Sequence, residues 1–414
     1  MEPIKNRGQI ISWCLFDFAN SSYSAVIASV IFPVYYTTVV VGNETGVGDL
    51  WWGRMVSLSM FIVVITSPFL GGIADFSGIR KRLLLFYTFI CILSVASLSL
   101  VREGMVIEGF LLMLIANTGM EGGLVFYNSF LPEIADKTHI GRVSAWGYGV
   151  GYAGSILSLL IAIPLVSKGY YGATWVMVAL FFAIFSLPAF IFLPKDRKDG
   201  LKITTASSEG LKYICKTFKE IWLNREFRKF LIAYLIYQDG INTVIMFSSI
   251  YASTTMGFQS GELIGLYLII QITALIGAFL LAGPIDWWGP KKVVSLSLAM
   301  WITVTTIVYL ADSKTAFWFI ASAAGIGLGT IQAATRAFFT QFIPSGKESE
   351  YFGIYSMAGK SSSIIGPLLF GWISYSYGSQ KPAILSVAVF FIFGLVMIRS
   401  VKGGGPTISR LSNA

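Results

Sequence analysis

Five ionisable side chains sit inside apolar stretches of this 414-residue chain: Asp17, Glu121, Asp239, Arg336 and Lys360. A charge at the centre of a membrane-spanning helix costs about 2.5–3.5 kcal/mol on insertion scales, so such a group faces water, a partner or a functional pathway. Two chemistries are open to them. A carboxylate held away from bulk water can load and release a proton. It can also attract an ammonium group, while Arg or Lys attracts a carboxylate. Glu121 and Asp239, together with Lys360 and Arg336, thus offer complementary ends to a zwitterion. The competing reading is that the same charges are locked in pairs between helices, Arg336 with an acid such as Glu133, or Asp17 with nearby hydroxyls and amides.

Neutral polar groups accompany them. Asn20 follows Asp17 by nearly one helical turn, so the two share a face, and Tyr23 follows. Tyr127 and Asn128 close the fourth apolar run, and Asn242, Gln271 and Gln332 place amides in the seventh, eighth and tenth. Amides donate and accept, which suits a zwitterion, a sugar or a tie between helices. Other chemistry is poorly served. The single histidine, His139, falls in a loop, and Cys14, Cys91 and Cys215 lie in different segments without ligand spacing. Neither a metal site nor a nucleophile–base pair is expected, and no cofactor. The glycine runs at 147–154 and 325–330 lack a preceding strand and a following GKS or GKT, so they read as close-packing surfaces and not as nucleotide loops.

The elements that must carry these residues are membrane helices. The chain is 55% hydrophobic and 12% charged, against about 25% charged in an average soluble domain. Twelve runs are long enough to span a bilayer: 9–40, 50–74, 82–101, 105–131, 143–166, 172–193, 228–256, 261–284, 291–311, 315–342, 351–374 and 381–400. The first is too long for a cleaved leader and reads as the first span. The fold class expected is all-α, with twelve transmembrane helices in two six-helix bundles: residues 1–194, a cytoplasmic linker at 195–227, and residues 228–414. With the N-terminus inside, 23 of the 30 Lys and Arg fall on the cytoplasmic side, and only Arg54, Arg102, Lys168, Lys314 and Lys381 fall outside. The positive-inside rule therefore predicts both termini in the cytoplasm, and the short tails suit a prokaryotic inner membrane. The net charge of +9 reflects that orientation and gives no support for a nucleic-acid partner. In the linker, Leu211, Ile214, Phe218, Ile221 and Trp222 recur at helical spacing opposite Lys212, Lys216 and Lys219, predicting an amphipathic helix on the inner membrane surface.

The two halves repeat each other. GGIADFSGIRKR follows the second run and AGPIDWWGPKK the eighth, with Asp75 and Asp286 211 positions apart. Pro132 and Pro344 are 212 apart, and Asp17 answers Asp239 at 222. Such internal repeats suggest a duplicated transporter. The first of these loops resembles the cytoplasmic signature of the major facilitator superfamily. Phe76 and Ile79 depart from it, while Asp75, Gly78, Arg80 and Lys81 fit. The resemblance implies a gating role for Gly71, Asp75, Gly78, Arg80 and Lys81, echoed by Asp286, Gly289 and Lys291. It implies an acid capping a helix across the bundles and basic residues held at the headgroups. It also implies that the first, fourth, seventh and tenth helices line a central cavity. The buried charges fall in the first, fourth, seventh, tenth and eleventh runs and in none expected to face lipid.

A narrower resemblance lies in FDFANSSY with IFPVYY (31–36) and in YNSFLPEIA (127–135), which look like the autophagy-related vacuolar effluxer-like branch of that superfamily. It implies a solute transporter, with amino-acid efflux as the leading substrate reading. Two bundles around a cavity would work by alternating access, and the buried carboxylates favour the proton as coupling ion. A small solute and the lipid bilayer are the expected partners, and such a fold can work as a monomer. Efflux of amphipathic or cationic compounds is the alternative within transport. A non-transporting membrane sensor is the alternative of another class.

Overall fold

The structure, a computed structural model, describes residues 6–135, 140–196, 202–280, 282–343 and 348–402. Every regular element among them is helical. In chain order, α1 is Arg7–Val41, α2 Val47–Phe76, α3 Arg80–Leu100, α4 Val106–Ser129, α5 Ile140–Val166, α6 Tyr171–Phe192 and α7 Ile203–Leu223. Then come α8 Arg225–Thr254, α9 Ser260–Leu280, α10 Pro290–Leu310, α11 Lys314–Thr340, α12 Glu348–Ser361, α13 Ile365–Tyr377 and α14 Gln380–Ser400. Eleven of the described helices are long and apolar enough to cross a membrane. The run at 351–374, expected as one span, is instead two helices, α12 and α13.

Local sequence explains the division. Ser361, Ser362 and Ser363 carry hydroxyls that compete for backbone bonds and weaken a helix interior. Pro367 follows four residues after Ser363, where its ring would clash with that residue's carbonyl if the helix continued. Placed in the first turn of a fresh helix, its missing N–H costs nothing. Pro33 acts similarly in α1. Ahead of it, residues Tyr23–Val30 wind with the wider i→i+5 pattern, and the Ile31 amide bonds Val26 O at 3.1 Å. α7 occupies the linker, in the stretch expected to hold an amphipathic helix.

By contacts the chain forms two units, Met1–Ile214 with Ile245–Ile264, and Cys215–Val244 with Gly265–Ala414. In the first, α1 packs on α5 and α6, and α4 packs on α2 and α3. Glycine permits the closest approach: a Cβ on Gly154 of α5 would lie 2.1 Å from Phe18 O of α1. The N-terminal part of α7 belongs to this unit and rests on α2, where a Cβ on Gly210 would lie 2.1 Å from Gly72 Cα. In the second unit α10 packs on α11 and α14, and α13 on α14.

Candidate functional site

Within the first unit a polar strip runs along α1 and α4. Asn20 Nδ2 donates to Asp17 Oδ1 at 3.3 Å. Tyr23, 1% exposed, donates its hydroxyl to Asn117 Oδ1 at 3.3 Å, and Asn117 Nδ2 donates to Ser59 Oγ of α2 at 2.7 Å. Asn117 lies one turn before Glu121, so both occupy one face of α4. Asp17 is half-buried along α5, where a Cβ on Gly147 or Gly151 would come within 3.4 Å of its carboxylate. The glycines of that run therefore make room for Asp17. One turn toward the N-terminus of α1, Trp13 and Tyr127 stack with centroids 4.6 Å apart and exchange bonds. Trp13 Nε1 donates to Tyr127 O at 3.1 Å, and Tyr127 OH donates to Trp13 O at 3.2 Å. Tyr127 thus fastens α4 to α1, and the next residue, Asn128, is exposed. Ser59 and Asn117 were not singled out by sequence reasoning, because single small polar residues in spans are common and carry no spacing signal.

In the second unit, Asp239 of α8 is 3% exposed and both its carboxylate oxygens accept the Gly366 amide, at 2.9 and 3.0 Å. Asn242 Nδ2 donates to Ser363 Oγ at 2.6 Å, Ser362 Oγ at 3.3 Å and Gly359 O at 3.4 Å, while Gln238 Nε2 donates to Asn242 Oδ1 at 3.1 Å. Lys360 stands in the last turn of α12, at the negative end of that helix dipole. Gln332 and Arg336 are exposed on α11, and Gln271 is half-buried on α9. The structure thus brings Asp17 together with Asn20, and gathers Asp239, Asn242 and Lys360 around the α12–α13 break.

The motif loops have their own geometry. Gly78 and Gly289 hold φ of +70° and +84°, left-handed values that glycine adopts without a Cβ penalty. Arg80 donates to Ser129 O at 2.9 Å, pairs with Glu133 and lies over the Phe130 ring. Glu133, considered above as an acid for Arg336, pairs with Arg80 within the first unit. The Lys81 ammonium donates to Leu193 O at 2.7 Å and Ile191 O at 3.3 Å, the open carbonyls at the end of α6. Lys291 repeats this, donating to Arg399 O at 2.9 Å and to Val401 O at the end of α14. Asp196, absent from the sequence reading, accepts the Lys81 amide at 2.8 Å and Arg82 Nε at 2.8 Å, which caps α3. Gly71 has open space around it. The side chains of Asp75 and Asp286, and residues His139 and Pro344, lie outside those described. Among the described residues no group of three or more His, Cys, Asp or Glu is placed to hold a metal ion.

Comparison with known proteins places this geometry in a family. Residues 54–403 match the family described as vacuole effluxer Atg22 like. An MFS-type transporter of Bacillus subtilis (strain 168), YxiO, is 28% identical over 407 residues, 94% of each chain. Autophagy-related protein 22-1 of Aspergillus fumigatus is 25% identical over 302 residues, covering 64% of this chain and 48% of that one. Among solved structures, the nucleoside transporter NupG superposes with a TM-score of 0.70 at 15% identity, covering 95% of this chain and 98% of that one. A bacterial homolog of the human lysosomal transporter Spinster, inward-facing and occupied, gives 0.67 at 11% identity, with 97% of each chain covered. Those two likenesses establish the fold of major facilitator transporters. The family match spans most of the chain, so this protein belongs to the Atg22-like vacuole effluxer family and is a multi-pass membrane transporter of the major facilitator superfamily, acting on a small solute.

Proposed function

We propose that this transporter exports small zwitterions, amino acids foremost, from the cytoplasm by alternating access, driven by a proton gradient. The observation that carries this reading is the polar strip of the first unit. A half-buried acid, Asp17, is bonded to an amide, Asn20, and a tyrosine–asparagine–serine chain leads to the face of α4 that bears Glu121. An acid beside neutral donors and acceptors can hold an ammonium group or carry a proton, and an exporter needs both in turn. Export is in keeping with the family description as effluxers. The basic groups Arg336 and Lys360 are assigned to the substrate carboxylate. Both termini are placed in the cytoplasm and the membrane is taken as a prokaryotic inner membrane, in keeping with the charge asymmetry of the loops. The working unit is a monomer, made of residues 1–194 and 228–414 joined by the linker 195–227. Asp75 and Asp286 complete the cytoplasmic gating loops.

The experiment is uptake of a radiolabelled amino-acid mixture into proteoliposomes with and without an imposed pH gradient. Gradient-stimulated accumulation by the wild type, lost in Glu121→Gln or Asp17→Asn, supports the proposal and locates the proton or ammonium contact. No accumulation by well-folded wild type under either gradient direction rules out amino acids and moves the search to amphipathic cations and sugars.

A further inference from the structure

The divided eleventh span has a physical requirement that its own sequence does not meet. The first turn of a helix leaves amide N–H groups without intrahelical partners, and inside a bilayer there is no water to satisfy them. The residue at the N-cap of α13 is Ile364, which has no side-chain acceptor and makes no side-chain cap. The two serines before it are engaged by Asn242. The acceptor comes from another helix: Asp239 of α8 receives the Gly366 amide on both oxygens. Gly366 is required for this approach, since a Cβ there would lie 2.0 Å from Thr243 Oγ1 and 2.7 Å from Asp239 Oδ1. The other side of the break is held by the same helix, where Asn242 reaches Gly359 O near the end of α12. One turn of α8 therefore grips both broken ends.

The pseudo-equivalent acid in the first unit meets a different surface. Asp17 lies against the glycines of α5, which is a continuous helix of 27 residues. The repeat thus keeps the acid and changes what it touches.

We infer that Asp239 and Asn242 are positioning residues: they keep the eleventh span divided at Ser362–Ile364 and so fix Lys360 at the break. The span then has a built-in pivot, about which α12 turns as a unit while α13 stays on α14. This goes beyond the substrate reading and does not depend on it.

The test is hydrogen–deuterium exchange on the full-length transporter in lipid nanodiscs. In Asp239→Ala, amides at 362–366 should exchange about tenfold faster or more, the scale set by losing a hydrogen bond to a charged acceptor, while α10 and α14 keep their wild-type rates. Asp239→Asn keeps one acceptor oxygen and should stay within about threefold of wild type. Asn242→Ala removes donors without touching a charge and should accelerate 359–363, which keeps the test informative should Asp239→Ala fail to fold. In a Cys215→Ser background, spin labels at Ser356 on α12 and Thr340 on α11 should report a wider distance distribution in Asp239→Ala than in wild type or Asp239→Asn. Unchanged exchange at 362–366 in folded Asp239→Ala, or exchange in Asp239→Asn as fast as in Asp239→Ala, would overturn the inference.

Discussion

At the scale of single residues, several charges in this protein are spent on backbone. Asp239 accepts an amide, Lys81 and Lys291 donate to helix-end carbonyls, and Arg80 divides its guanidinium between Ser129 O and Glu133. Arg80 is 16% exposed and its partner 32%, so the pair is worth more than a fully solvated one but less than a buried one. Arg80→Ala leaves Ser129 O and Glu133 without this donor and should cost about 1–2 kcal/mol of stability. Glu133→Gln, which keeps an acceptor, should cost less. Thermal unfolding in detergent checks the order; equal losses would show that the charge, and not the hydrogen bonding, matters. The buried acids were readable from the sequence, because a carboxylate in a 20-residue apolar run must face water or a partner. Their partners were not. Gly366 offers a backbone amide, and no side-chain pattern announces a backbone donor. The pairing of Glu133 with Arg80 was not announced either, since the two lie 53 residues apart in the chain.

At the scale of elements, close approach replaces the hydrophobic effect, which has little force between helices in lipid. The α1–α5 contact depends on glycine: with a Cβ at Gly154 only 2.1 Å from Phe18 O, the helices must move apart. Gly154→Val should therefore lower the thermal midpoint by several degrees, whereas Gly149→Ala, where nothing lies within 4 Å, should leave it unchanged. Equal effects would discard the contact. Span positions were legible from hydropathy alone, and α1 runs 7–41 against an expected 9–40. The division at 362–364 was also written in the chain, as three serines followed by Pro367. It was missed because the whole segment is apolar enough to pass as one span, and hydropathy averages over the very residues that interrupt it.

At the scale of the whole molecule, the sequence repeat has counterparts in local geometry. The repeat in sequence, Asp75 to Asp286, reappears as paired left-handed glycines and paired lysine caps. Membrane orientation has a natural reporter. Cys14 and Cys91 are buried and Cys215 is exposed on α7. A membrane-impermeant maleimide should thus label the protein in inverted vesicles and not in intact cells, and Cys215→Ser should abolish the signal. Labelling of intact cells would place the linker outside and reverse the assigned topology.

The lysine caps have one more consequence. Lys81 joins the start of the third helix to the end of the sixth, and Lys291 does the same for the later half. Each clasp closes within its own half of the sequence. A gene cut between codons 197 and 201 would leave both clasps whole.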